Sequence, residues 1–172
     1  MDIMREFGAM ALASRLRRLS DRLKSDSTRL YRQNGVEFNN GWFLVALVLS
    51  GRESISVTET AEVFGISHAA VSQMVTAMKN SGLVTVQRDE RDRRRSIINL
   101  TDKGRTSVKA LRRIWDVIAE CTEELIASTD KDFLRLISEI EDQLEQRSLF
   151  SRVADRMGID VVDDFQKKRP GT

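Results

Sequence analysis

The sequence predicts a mainly α-helical protein with one small β-hairpin: a helix-turn-helix with a wing, flanked by longer helices. Three observations predict it. Apolar residues recur at three- and four-residue steps over most of the chain, the period of a helix face. One short stretch, roughly 83–100, switches to the period of two that marks strands. A pair of short helices around Gly65 stands directly before that stretch.

The first element carries Ala9, Leu12, Leu16, Leu19, Leu23 and Leu30 on one face. That spacing is close to the seam of a coiled coil. Arg15, Arg17, Arg18, Arg22 and Lys24 take its other sides, and Asn34-Gly35 ends it. A second helix, roughly Gly41 to Ser50, is apolar all round from Trp42 to Leu49, so a central core position is expected. Ser56-Val57-Thr58-Glu59 reads as a capping box for a short helix that Gly65 ends. Ser67 caps the next helix, which runs to about Asn80 and stops at Gly82, with Leu83 closing its end. Val71, Met74, Val75 and Met78 form its buried stripe, and His68, Ala69, Ser72, Gln73 and Thr76 its exposed face.

Two strands follow, Leu83 to Arg88 and Ser96 to Leu100, joined by the charged loop 89–95. Thr101 caps a long helix with Val108, Leu111, Trp115, Ile118 and Leu125 on its stripe. Another helix carries Phe133, Leu136, Ile137, Ile140 and Leu144. Leu149, Phe150, Val153 and Met157 either continue it or form a separate turn, and the end from Gly158 is expected to fray.

Composition bounds the chemistry. The 172 residues are 41% hydrophobic and 31% charged with 9 Gly and 1 Pro, which excludes disordered and collagen-like chains. The longest apolar run has eight residues, far below the roughly 20 that span a bilayer. No apolar stretch follows a basic start, so no secretory signal is expected. One cysteine, Cys121, permits no intrachain disulfide and fits a reducing, cytoplasmic compartment. It lies on a stripe with Val117 and Leu125, reads as a buried structural thiol, and has no basic residue one turn away to activate it.

The net charge of +2 divides unevenly: +3 over residues 1–37, −2 over 38–66, +7 over 67–113 and −6 over 114–172. A basic centre beside an acidic end suits a polyanion-binding domain, although charge alone fits a solvated surface equally well. The helix pair and hairpin over 56–101 decide between them. Ala61 lets the two helices cross closely, Gly65 supplies the left-handed turn, and Val71 packs back to set the angle. The exposed face is short and polar, so it can reach base edges. Gln73 can pair with an adenine, His68 can donate or accept, and Ala69 or the Thr76 methyl can touch a thymine methyl. Ser67, Ser72 and the helix N-terminus can hold phosphates. Arg88, Arg91, Arg93, Arg94 and Arg95 arm the wing, which suits a narrow A·T-rich minor groove. Asp92 is placed to orient Arg94 through a charge-assisted hydrogen bond. The expected partner is double-stranded DNA.

Asp92, one residue, Arg94, five residues, then Leu100-Thr101 resembles the wing signature of the MarR family of bacterial transcription regulators. The likeness extends from Ser56 to Gly104 through Val57-Thr58-Glu59 with Ala61, Ser67-His68, Val71-Ser72-Gln73, Gly82-Leu83-Val84 and Leu100-Thr101-Asp102-Lys103-Gly104. It implies a homodimer straddling a pseudopalindromic operator, with helix 68–80 in the major groove and wing 89–95 in the minor groove. It implies a repressor rather than an activator. On this basis residues 1–37 and 102–157 form a helical dimerisation region, 38–101 the winged helix-turn-helix DNA-binding domain, and 158–172 a flexible tail. The stripes at 12–23, 108–125 and 133–144 support pairing, because they exceed what one small winged domain covers.

Arg15 to Leu23, Tyr31, Trp42-Phe43 and Ser67-His68 resemble the subgroup often fused to a GNAT acetyltransferase. No Gly-rich acetyl-CoA loop is present here, so acetyl transfer is not expected. The resemblance further implies a small aromatic or anionic effector in a cleft beside the dimer helices. Arg18, Arg22, Tyr31, Trp42 and Trp115 are its candidates, although core packing and solvated charge explain them more simply. With one histidine, no metal-ligand cluster and no nucleophile or phosphate motif, no enzyme, metal or cofactor is expected. The alternative reading is a non-enzymatic helical interaction module whose wing meets an acidic protein partner.

Overall fold

The structure, a computed structural model, describes residues 2–90 and 92–159. Wing residue Arg91 and positions 160–172, most of the expected tail, lie outside the described residues. The chain packs as two units, Met1–Glu120 and Cys121–Thr172. The first holds α1 (Ile3–Glu6), α2 (Leu12–Gln33), α3 (Phe43–Gly51), β1 (Ser54–Ser56), α4 (Val57–Phe64), α5 (His68–Asn80), β2 (Val84–Arg88), β3 (Ser96–Leu100) and most of α6 (Asp102–Ala127). The second holds the end of α6, then α7 (Phe133–Gln146) and α8 (Leu149–Met157).

The predominance of helix and the wing are as expected, but the sheet has three antiparallel strands in the order β1-β3-β2. β2 pairs with β3 from Val84↔Leu100 to Arg88↔Ser96. The added strand β1 pairs with the other edge of β3, with Ile55 opposite Ile98 and Ser56 opposite Ile97. Three residues are too few to show a period, so this strand leaves no readable pattern in the sequence.

The core of the first unit joins α2 and α3, the three strands, α4, α5 and α6. Val45 and Ala46 of α3, Val71 of α5, Ile98 of β3 and Leu111 of α6 are fully buried. α3 is not buried all round, however: Leu44 and Leu47 are exposed, because the other helices and the sheet cover only the face carrying Val45, Ala46 and Leu49. Phe38 centres an aromatic cluster, packing edge-on against Tyr31 at 5.7 Å, Trp42 at 5.9 Å and Trp115 at 6.1 Å. Within it the Trp115 indole N–H donates to the Tyr31 hydroxyl at 3.0 Å, which satisfies both polar groups away from water.

The end of α5, the start of the hairpin and the start of α6 meet at one point. Gly82, at φ 71°, ends α5 in the left-handed conformation, and the Leu83 N–H donates back to the Met78 carbonyl at 3.0 Å. Thr101 then works in both directions. Its hydroxyl donates to the Gly82 carbonyl at 2.6 Å and accepts from the Gly104 N–H at 2.9 Å. Its own N–H donates to the Leu83 carbonyl at 3.0 Å. Gly104, buried in the first turn of α6, has no room for a side chain: a methyl there would overlap the Leu83 carbonyl.

In the second unit a break at Arg147 and Ser148 separates α7 from α8, which settles the open choice in favour of a separate helix. The Ser148 hydroxyl caps α8 by accepting from the Ser151 N–H at 3.1 Å, and Gly158 ends it at φ 64°. Arg152 ties α8 back by donating to the carbonyls of Gln143 at 2.8 Å and Arg147 at 3.0 Å. Cys121 is exposed rather than buried, since α6 turns the Val117–Cys121–Leu125 stripe outward beyond Trp115. No helix among the described residues is long and apolar enough to cross a membrane.

The close approach at Gly104 yields a prediction. Gly104→Ala is expected to destabilise the fold by about 1–3 kcal/mol, against the small gain that alanine normally brings inside a helix. Chemical denaturation of the two proteins checks it, and an unchanged midpoint would mean that the junction yields without strain.

Candidate nucleic-acid interface

The interface is built from α4, α5 and the β2–β3 hairpin. The hydroxyl of Ser56 caps α4 by accepting from the Glu59 N–H at 3.1 Å. Only half of the expected capping box forms, because the Glu59 carboxylate instead pairs with Arg52 at 2.8 Å. Gly65 closes α4 at φ 60°, and the Ile66 N–H donates back to the Ala61 carbonyl at 3.1 Å. The turn to α5 is therefore short. Ser67 opens α5 by accepting from the Ala70 N–H at 3.2 Å.

Val71, Val75 and Met78 bury one side of α5, with Met74 half-buried beside them. That anchorage leaves His68, Ala69, Gln73 and Thr76 exposed to solvent, with Ser67 exposed at the cap. Ser72, expected among them, is half-buried. The Thr76 hydroxyl donates to the Ser72 carbonyl at 2.7 Å, so its donor is committed to the helix. Ala70 is exposed as well and adds a methyl that the sequence reading omitted.

The wing is held by its own backbone and carboxylates. Hairpin pairing continues past Arg88 with the Asp89 N–H donating to the Arg95 carbonyl at 3.0 Å. The Arg95 N–H closes the turn on the Asp92 carbonyl at 2.8 Å. Asp92 is bound on both sides: its N–H donates to the Asp89 carboxylate at 3.0 Å, and its carboxylate accepts from the Arg94 N–H at 3.0 Å and Arg94 Nε at 3.1 Å. This is the orienting contact expected from the sequence. Arg94 remains 92% exposed while its guanidinium is aimed.

The four described wing arginines have different engagements. Arg88 Nη1 donates to the Arg93 carbonyl at 3.3 Å, Arg94 holds Asp92, and Arg95 Nη2 reaches the Ser56 hydroxyl at 3.4 Å. The Arg93 side chain makes none of the side-chain hydrogen bonds or ion pairs seen among the described residues. The links made by Arg88 and Arg95 left no signal in the sequence, since both depend on where the folded loop brings distant groups.

The five effector candidates do not come together. Tyr31 and Trp115 are buried core residues bonded to each other, so neither offers surface to a ligand. Arg18 holds Asp2 through two hydrogen bonds, at 3.1 and 2.8 Å, and Arg22 lines a shallow groove on α2 with it. Only Trp42 borders a wide cleft in the first unit, about 1270 Å³, where Arg32, Lys103, Phe38, Thr28 and Ser107 also stand. Among the described residues no group of three or more His, Cys, Asp and Glu could hold a metal.

Hydrogen bonds from the Arg94 side chain and then its backbone hold the Asp92 carboxyl below its ordinary 3.8, and the pairing raises Arg94 in turn. Because the carboxyl is depressed, the contact is complete above the ordinary value and is lost as pH falls through the lowered one. Titration of Asp92 by NMR is therefore expected to give a midpoint below 3.8, and Arg94→Ala is expected to raise it. A midpoint that ignores the substitution would place the cause elsewhere.

Comparison with known proteins agrees with this geometry. The MarR family model matches residues 34–95. No curated protein matches the chain. Among solved structures, the transcriptional repressor CouR bound to a 23-mer DNA duplex is 26% identical, with a TM-score of 0.62 over 76% of this chain and 92% of that one. The S. aureus MepR–DNA complex shares the fold at 17% identity and a TM-score of 0.63, over 78% and 97%. So does Bordetella bronchiseptica BpsR, whose DNA binding is regulated by 6-hydroxynicotinic acid, at 19% and 0.61 over 77% and 91%. Residues 34–95 thus match the MarR family model, and the fold around them is similar to that of CouR, a transcriptional repressor bound to a DNA duplex.

Proposed function

We propose that this protein is a cytoplasmic, non-enzymatic transcription regulator, a ligand-responsive repressor that binds a pseudopalindromic operator as a homodimer. One observation carries the reading: an anchored helix turns His68, Ala69, Gln73 and Thr76 outward, and the wing that follows it carries Arg94 aimed by Asp92. Helix α5 enters the major groove, where Gln73 reads a base edge and Ser67 with the helix N-terminus holds phosphate. Arg93 and Arg94 of the wing enter the flanking minor groove, with Arg91 beside them in sequence. The +7 charge over residues 67–113 lies on this side of the assignment and draws the duplex in. CouR, a transcriptional repressor bound to a DNA duplex, supports the same use of the fold.

Residues 1–37 and 102–157 serve to pair the subunits, and 38–101 to bind DNA. Support for pairing comes from apolar surface left open in each unit. Leu12, Leu16, Leu19 and Leu23 of α2 are all more than 40% exposed, as are Leu134, Ile140 and Leu144 of α7. Such continuous stripes on a monomer mark contact surfaces. The 108–125 stripe contributes less than expected, because Val108, Leu111 and Trp115 belong to the core. The cleft beside Trp42, with Arg32 and Lys103 at its edge, is the place this reading assigns to a small anionic or aromatic effector. Arg18 and Arg22, on the α2 groove, are not part of it.

Binding to promoter fragments, followed as a function of salt, tests the function. Gln73→Ala is expected to change preference at one base pair by about 1–3 kcal/mol, and Arg94→Ala to weaken binding to all sequences. Absence of any duplex preference over nonspecific DNA, together with capture of an acidic protein, would favour the interaction-module alternative. Sedimentation tests the dimer: Leu16→Glu with Leu19→Glu is expected to give monomers, and persistent dimers would move the interface off α2.

A further inference from the structure

The wing arginine that sequence alone cannot separate from its neighbours is Arg95. Its backbone closes the wing turn, and its guanidinium does not follow that of Arg94 outward. It reaches 39 residues back to the Ser56 hydroxyl, at 3.4 Å. The sheet explains the reach. Ser56 pairs with Ile97 across β1 and β3, so Arg95, two residues earlier, is its diagonal neighbour on the same face.

Ser56 is not an ordinary acceptor. It is 1% exposed, and its hydroxyl also accepts from the Glu59 N–H at 3.1 Å, capping the first helix of the helix-turn-helix. A hydroxyl oxygen has two acceptor sites, and Glu59 and Arg95 take both. The base of the wing and the start of α4 therefore share one buried atom.

We propose that Arg95 is a positioning residue: through Ser56 it fixes the pitch of the wing against the helix-turn-helix, and it makes no contact with phosphate or base. This rests on the DNA-binding reading above and refines it. Two surfaces must enter adjacent grooves of one duplex, so the angle between them decides whether both engage together. Arg94 is aimed within the wing by Asp92, and Arg95 aims the wing as a whole. The two arginines, adjacent in sequence, then act on DNA by different physical routes.

The routes leave different signatures in salt. Each phosphate contact adds about 0.9 to the slope of log affinity against log salt, whereas a positioning residue adds nothing. Affinity for a retained duplex would be measured across salt for the full chain, Arg95→Ala and Arg93→Ala. Arg95→Ala is expected to weaken binding about three- to tenfold at every salt concentration with the slope unchanged, an effect of the size seen for coupled neighbouring residues. Arg93→Ala is expected to lower the slope. Ser56→Gly removes the acceptor while glycine still serves as a helix cap at small cost. In that background Arg95→Ala is expected to add no further loss.

A slope lowered by about 0.9 in Arg95→Ala would make Arg95 a phosphate contact and overturn the proposal. An unchanged affinity, or an equal loss in the Ser56→Gly background, would overturn it as well. Amide exchange without DNA separates this outcome from failure of the functional reading. Arg95→Ala is expected to speed exchange at the Asp89 and Glu59 amides, and Arg93→Ala is not. Unchanged exchange at both amides in Arg95→Ala would contradict the tether whatever the protein binds.

Discussion

The carbonyl of Leu83 is the point on which the elements of the first unit's winged core are registered. It accepts from the Thr101 N–H, which brings the two ends of the hairpin together. It lies so close to α6 that only glycine fits at position 104. The neighbouring carbonyls are taken too, Gly82 by the Thr101 hydroxyl and Ser81 by Lys103 at 2.9 Å. One short stretch thus ends the helix proposed to read DNA, begins the wing and starts the longest helix. The relative placement of those three elements follows from a few backbone hydrogen bonds rather than from packing alone, and backbone groups away from water must find such partners.

A second constraint ties α2 to the same body. Phe38 lies among Tyr31, Trp42 and Trp115, and the Tyr31–Trp115 hydrogen bond links α2 to α6 across 84 residues of chain. The helix bearing the leucine stripe and the winged core are therefore one packed unit up to Glu120, not a linker-joined pair. Residues that looked like ligand-facing aromatics are what makes that unit continuous.

Legibility in the sequence followed the range of the interaction. Helix ends set by Ser56, Gly65, Ser67 and Gly82 were readable, because caps and left-handed turns involve neighbours only. The Asp92–Arg94 contact was readable for the same reason. β1 was not, since three residues show no period, and its pairing with Asn99, Ile98 and Ile97 lies more than forty residues away. Glu59 was assigned to its own cap, yet Arg52 claims it from outside the four-residue motif. The aromatic candidates misled because composition shows a ring's chemistry but not whether a core already holds it. Cys121 failed on geometry: its stripe continues the buried one in sequence, but the core ends near Trp115 and Ile118.

These constraints describe a surface with two projections held at one angle, a helix face and an arginine wing. Dimethyl sulfate footprinting of the protein on a retained operator, which reads guanine N7 in the major groove and adenine N3 in the minor groove, tests that description most directly. The account predicts paired protections about one helical turn apart, each with major-groove contacts flanked by a protected minor groove. Protection confined to the minor groove, or spread evenly along the duplex, would contradict it.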